Sequence, residues 1–195
     1  MKYGFHGLSY QSVIRQLQSL DPFLSHKKII ACHLGAGSSL CAIEKGRSVA
    51  TTMGFTALDG LMMGTRCGRL DPGVVLHLLQ NRTLQDVSDL LFKQSGLLGV
   101  SGLSSDMRIL EASQDHRAKE AITLYCDTIV QEMHGLIGLL GGVDARIFSG
   151  GIGENSDYVR NNVIQRFLFK HTPVFVLSSK EEEEIARAYE EIFPS

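Results

Sequence analysis

The stretch KIIACHLGAGSSLCAIEKGRSVATTM, residues 28–53, decides the fold. Its first seven residues form a short apolar run that reads as a buried strand. Gly35-Ala36-Gly37-Ser38-Ser39 then makes a tight turn, residues 40–44 (LCAIE) read as a second strand, Lys45-Gly46-Arg47 as a hairpin turn and residues 48–53 as a third strand. The whole is a three-stranded meander whose first turn is unusually rich in glycine and serine. Upstream, residues 9–20 place Val13, Leu17 and Leu20 at helical spacing before Asp21-Pro22 stops the helix. Downstream, Asp71-Pro72 is an N-cap with proline at the first helical position, leading into VVLHLL. Thr83 with Asp86 forms a capping box that opens a helix running to about Lys93.

Residues 96–105 (GLLGVSGLSS) read as glycine-punctuated loop. The longest helix spans 117–140, with Ala121, Leu124, Tyr125, Ile129, Met133, Ile137 and Leu140 at spacings of three and four. A strand at 145–148, a turn at 149–153, a helix over 154–169, a strand at 174–177 and a helix over 180–192 complete the chain. Neither linker nor repeat interrupts this alternation, so residues 1–195 read as one α/β domain.

Composition narrows the function. The 195 residues carry a formal net charge of −2 with no basic cluster, which argues against general nucleic-acid binding. The longest apolar stretch, residues 136–143, is cut by glycines and too short for a bilayer. With no charged-then-apolar leader, the expected location is the cytoplasm. Cys32, Cys41, Cys67 and Cys126 make no CxxC, so reduced structural thiols are expected. Twenty glycines are the outlier, and their short runs point to backbone that approaches something closely.

Two of the glycine turns share a layout, an apolar strand followed by glycines and small polar residues. Strand–GAGSS–strand and strand–SGGIGEN–helix leave main-chain N–H groups uncovered, a layout that serves either plain turning or an anion site. Neither GxxxxGK[ST] nor GxGxxG occurs, so neither a Walker ATPase nor a Rossmann dehydrogenase is supported. Arg66, in Met62-Met-Gly-Thr-Arg-Cys-Gly68, is either a surface arginine or a planar fork for phosphate or carboxylate. His6 is similarly a structural histidine or a site residue. The run Glu181 to Glu184 suits a helix N-terminus, and one member could alternatively serve a hydrated Mg2+.

YGFHG at 3–7, HLGAGSS at 33–39, TMGFTALDGLMMGTRCGRLDP at 52–72, SGLLGVSGLSSDMR at 95–108 and GGIGENS at 150–156 together resemble the acetate kinase family. The resemblance runs through almost the whole chain and covers the family's C-terminal, nucleotide-binding half. It implies an actin-like, ribonuclease H-like ATPase core of the acetate and sugar kinase, Hsp70 and actin superfamily, with a central mixed sheet flanked by helices. By the same resemblance, His33, Leu34, Gly35, Ala36 and Gly37 would cradle the ATP phosphates and Asp106, Met107 and Arg108 would contact the nucleotide. Gly151, Ile152, Gly153, Glu154 and Asn155 would hold the adenosine side. His6 and Arg66 match the family's transition-state stabilisers, and Glu181 its magnesium-associated glutamate. The implied reaction is reversible transfer of the γ-phosphoryl group of ATP to acetate or another short-chain carboxylate, with Mg2+. The implied partners are a second copy, paired through this half, or the family's N-terminal half. Ala36 stands where the family usually carries asparagine.

Overall fold

The structure is a computed structural model that describes residues 3–169 and 171–193. Five strands form one mixed sheet: β1 (Lys28–Leu34), β2 (Ser38–Glu44), β3 (Arg47–Thr51), β4 (Ala145–Ser149) and β5 (Val174–Val176), in the order β3-β2-β1-β4-β5. The expected meander is present: β1 and β2 pair antiparallel from Lys28↔Glu44 to Leu34↔Ser38, and β2 continues into β3. On its other side β1 runs parallel to β4, with His33 opposite Ser149. β5 is parallel to β4.

Alternation along β1 and β2 splits the core. Ile30, Cys32, Leu34, Leu40 and Ala42 face one layer, whereas Ile29, Ala31, Cys41 and Ile43 face the other. The first layer is built on a 25-residue helix, α6 (His116–Leu140), capped by Asp115 and ended by Gly141 in the left-handed region. Its buried stripe includes Ala121, Tyr125, Ile129, Met133 and Ile137. The second layer is α1 (Gly7–Leu20), seated through Tyr10, Val13 and Leu17. The C-terminal helix α9 (Glu181–Ile192) lies against α1, where Arg15 and the buried Glu184 pair at 3.0 Å.

Two segments differ from expectation. Residues 96–105 are not all loop: 96–101 form α4 (Gly96–Ser101), packed on α6. Residues 150–155, read as turn running into helix, form α7 (Gly150–Asn155), which breaks at Ser156 before α8 (Asp157–Gln165). Ser156 causes the break, because its Oγ accepts the N–H of Val159 as the N-cap of the second helix. The remaining helices are α2 (Pro72–Leu78), α3 (Leu84–Lys93) and α5 (Met107–Ala112). The capping box at Thr83 is formed in full. No cysteine is disulfide-bonded, and burial pushes up the thiols of Cys32, Cys41 and Cys126. Among the described residues no helix is long and apolar enough to cross a membrane.

Candidate functional site

The register of β1 against β4 makes the site. Because both strands run the same way, the turn after Leu34 and the start of α7 emerge side by side, at the strand ends where open α/β sheets bind ligands. A β-carbon placed on Gly35 would lie 3.7 Å from the Gly151 nitrogen, so the two glycine turns face each other at contact distance. Gly150 has to be glycine: its φ is +77°, and a β-carbon there would come within 2.7 Å of the Leu34 carbonyl oxygen. The opposite wall is the start of α5, where Asp106 caps the helix by accepting the Arg108 N–H at 2.9 Å. Arg108 folds back onto the same carboxylate, with Nη2 2.6 Å from Oδ2.

Between these walls lies a cavity of about 610 Å3, within the usual size range of ligand pockets. Gly35, Ala36, Asp106, Met107, Arg108, Gly151, Ile152 and Asn155 line it, as do three residues that the sequence did not single out, Ser105, Glu111 and Ser156. Ser156 Oγ donates a short hydrogen bond to Glu111. Three other expected residues sit behind the wall. Leu34 is fully buried in the core, and Gly153 packs against Leu34 and Phe148. Glu154 accepts the N–H groups of Gly150 and Ser179, at 2.9 and 3.2 Å, so it ties α7 to the segment before α9. The first N–H of α7 is thereby satisfied within the chain, leaving the Gly151 amide nearer the cavity.

At the other end of the 35–37 turn, His6 and Arg66 come together. A β-carbon on Gly37 would lie 3.2 Å from His6 Nε2 and 3.6 Å from Arg66 Nη1, so both side chains close over this glycine and a larger residue would crowd the imidazole. Arg66 is carried by a loop docked on the start of α4: Leu97 and Leu98 donate N–H bonds to the Met63 and Gly64 carbonyls at 2.8 and 2.9 Å. The Gly64 N–H reaches the Ala36 carbonyl at 3.4 Å, and Arg66 Nη1 donates to the Ala57 carbonyl at 3.3 Å. A main-chain bond therefore connects the arginine loop directly to the 35–37 turn.

His6 adopts a left-handed backbone (φ 59°), and its ring stacks on His33 with centroids 4.2 Å apart. Burial, then His33, then Arg66 lower its pKa from 6.5 to about 4, so the imidazole is neutral at pH 7. Burial also lowers His33, against the opposing effect of Glu181 and Glu154. His33 Nδ1 is 2.7 Å from Ser9 Oγ, Ser9 Oγ is 2.9 Å from Ser179 Oγ, and Ser179 Oγ donates to Glu181 at 3.1 Å. Glu181 thus stands at the end of a polar string that begins at His33, beside the 35–37 turn. One carboxylate suits Mg2+, which keeps most of its water and takes one or two carboxylates plus substrate phosphate. Among the described residues no cluster of three His, Cys, Asp or Glu side chains could hold a metal by itself.

A second cavity, about 470 Å3, lies on the α1 side between Tyr3, Phe5, Ile14 and Ile43. Among the described residues no charged side chain lines it.

The chain is similar to known proteins along most of its length. Residues 1–181 match the Acetokinase family. The chain is 52% identical to acetate kinase from Methylocella silvestris over 166 residues, which is 84% of this chain and 41% of that protein. The crystal structure of acetate kinase from Entamoeba histolytica superposes with a TM-score of 0.92 at 35% identity, covering 100% of this chain and 59% of the other. A propionate kinase from Francisella tularensis gives 0.88 at 32% identity, covering 95% and 54%. The chain therefore spans about two-fifths of the length of the curated relatives it matches. Its fold is the actin-like, ribonuclease H-like core of the acetate and sugar kinase, Hsp70 and actin superfamily. Strand order, the paired glycine turns and the match along residues 1–181 lead to one conclusion, that the chain belongs to the acetokinase family.

Proposed function

We propose that this chain is the nucleotide-binding half of a phosphotransferase that moves the γ-phosphoryl group of ATP reversibly to acetate or another short-chain carboxylate. The observation that carries the reading is the meeting of His6 Nε2 and Arg66 Nη1 over Gly37, beside a cavity walled by two glycine turns. The cavity would take the nucleoside, with Asp106, Met107, Arg108, Gly151, Ile152 and Asn155 around it. The 35–37 turn would take the phosphates.

In the forward direction a carboxylate oxygen attacks the γ-phosphorus in line. The new C–O–P bond forms as the bond to the β,γ-bridging oxygen breaks, and ADP leaves with that electron pair. Charge on the transferring group is met by the Arg66 guanidinium and by an N–H of neutral His6, so catalysis is mainly positioning and electrostatics. Mg2+, when bound, neutralises phosphate charge, and Glu181 is the residue that would hold it, through water or directly. The carboxylate substrate needs walls that this chain does not supply, so turnover requires a segment corresponding to the relatives' remaining length. A cytoplasmic location accords with ATP as co-substrate.

The relatives' greater length favours a second reading, in which this chain binds nucleotide or pairs with another copy and does not turn over. Two measurements separate these readings. Calorimetry with MgADP should show binding to the chain alone, and absence of heat and of a thermal shift would remove the nucleotide site. An acyl-phosphate assay should show turnover only once the complementary segment is added, and Arg66→Ala should then raise the barrier by about 3–4 kcal/mol. Nucleotide binding with no turnover in the presence of that segment would establish the second reading.

A further inference from the structure

Behind His6 lies a polar pair that phosphoryl transfer does not itself explain. Ser39, fully buried on β2 just after the phosphate turn, has its Oγ 2.9 Å from His6 Nδ1. The same Oγ shares a short hydrogen bond with the phenol of Tyr10, on α1, which is only 6% exposed. Three side chains, Tyr10 on α1, Ser39 on β2 and His6 at the N-cap of α1, thus form a file running from the core to the site.

A neutral imidazole carries one N–H, and which nitrogen holds it decides what His6 presents to the phosphate turn. With the proton on Nε2, it offers a donor over Gly37. With the proton on Nδ1, it offers a lone pair, which would repel a phosphate oxygen. Ser39 has one proton to give and two lone pairs, so an Nδ1–H that donates to it strands either the Ser39 proton, when the phenol donates to Ser39 as well, or the phenol proton. The file has two end-to-end directions. In one, the phenol donates to Ser39 and Ser39 donates to His6 Nδ1. In the other, His6 Nδ1–H donates to Ser39, Ser39 donates to the phenol oxygen, and the phenol's own proton is left without its partner. Burial pushes the Tyr10 pKa well above 10, so that proton is present. A buried O–H without an acceptor is unfavourable, which selects the first direction.

We infer that Tyr10 and Ser39 are positioning residues that hold His6 as the Nε2–H tautomer, its proton directed over Gly37. Stacking on His33 fixes the plane of the ring, and Ser39 fixes which edge carries the hydrogen. The purpose of this arrangement rests on the phosphoryl-transfer reading, whereas the tautomer does not.

The test is a long-range proton–nitrogen correlation spectrum of the imidazole rings of the 15N-labelled chain at pH 7, with His6 assigned by its loss in His6→Asn. The expected wild-type spectrum has Nε2 as the protonated nitrogen and Nδ1 as the bare one. Tyr10→Phe, which removes a single oxygen, and Ser39→Ala should each give a mixture of tautomers. Ser39→Thr should restore Nε2–H. A wild-type ring protonated on Nδ1 would overturn the inference, as would a pure Nε2–H ring in both folded variants, Tyr10→Phe and Ser39→Ala. The wild-type spectrum decides the direction by itself, whether or not a variant folds. A parallel MgADP titration keeps the two ideas separate: binding with an Nδ1–H ring would sink this inference alone, and no binding with an Nε2–H ring would sink the nucleotide site alone.

Discussion

His6 links acidity to stability with a definite sign. Its native pKa of about 4 lies below the ordinary 6.5, so under acid the unfolded chain binds the proton that the native chain refuses. Stability from this group is therefore complete above pH 6.5 and declines as pH falls toward 4. Because the ring is partly exposed, the loss is discounted to about 1–2 kcal/mol. Melting temperature followed from pH 7 to pH 4 should fall more steeply in the wild type than in His6→Asn, and parallel curves would refute the assignment. Arg146 presents the opposite case. It lies almost fully buried on β4 with its guanidinium 4.1 Å above the Phe167 ring, yet its guanidinium donates one hydrogen bond, from Nη2 to the Thr172 carbonyl at 2.8 Å. Nε and Nη1 have no hydrogen-bond partner among the described residues. A buried charge so poorly compensated is a poor source of stability. Arg146→Met should keep the fold and be neutral or stabilising by about 1 kcal/mol in urea unfolding. A loss above about 2 kcal/mol would mean that the stacking on Phe167 outweighs desolvation.

Among the elements, α4 decides whether Arg66 reaches the site. Gly96 opens it with φ +63°, and a β-carbon there would lie 2.1 Å from the Met63 carbonyl oxygen and 2.8 Å from that of Arg66. Gly96→Ala should therefore push the arginine loop off its helix. The expected loss is at least about 2 kcal/mol in unfolding free energy, with MgADP binding weakened in the same protein. An unchanged melt would show that the loop adapts. This element also marks the limit of what the sequence discloses. The 28–53 meander, the cap at Asp71, the capping box at Thr83 and the long helix were legible because their signals are local: alternation, a polar cap, a period near 3.6. The helix at Gly96 was not legible, since GLLGVS has loop composition and its first N–H groups are satisfied by carbonyls of residues 63 and 64, some thirty residues earlier. At the site, the glycine turns, His6 and Arg66 stood out as motifs. Ser9, Ser39, Tyr10 and Ser179 did not, because an isolated serine or tyrosine carries no pattern until the fold brings it to a histidine.

At the scale of the molecule, α2 packs only lightly on the described residues, with Val75 and Leu78 half-buried. None of Pro72–Leu78 is buried, and Leu76 is 68% exposed, with Val74, Leu79 and Leu84 also open to solvent. A seven-residue helix does not persist on propensity alone, because nucleation is unfavourable and helices this short lack enough bonds to offset it. Its exposed apolar side chains are open to a surface outside the described chain, and a second copy is the one that a solution of the pure protein tests. The expected behaviour is concentration-dependent dimerisation in sedimentation, with amide exchange over residues 72–78 slowing as dimer forms. Leu76→Asp should give a monomer and restore fast exchange there. It should leave MgADP affinity unchanged, because α2 contributes no residue to the 610 Å3 cavity. A wild-type monomer at high concentration whose 72–78 amides are nonetheless protected would defeat this argument, since the helix would then be stable without any partner.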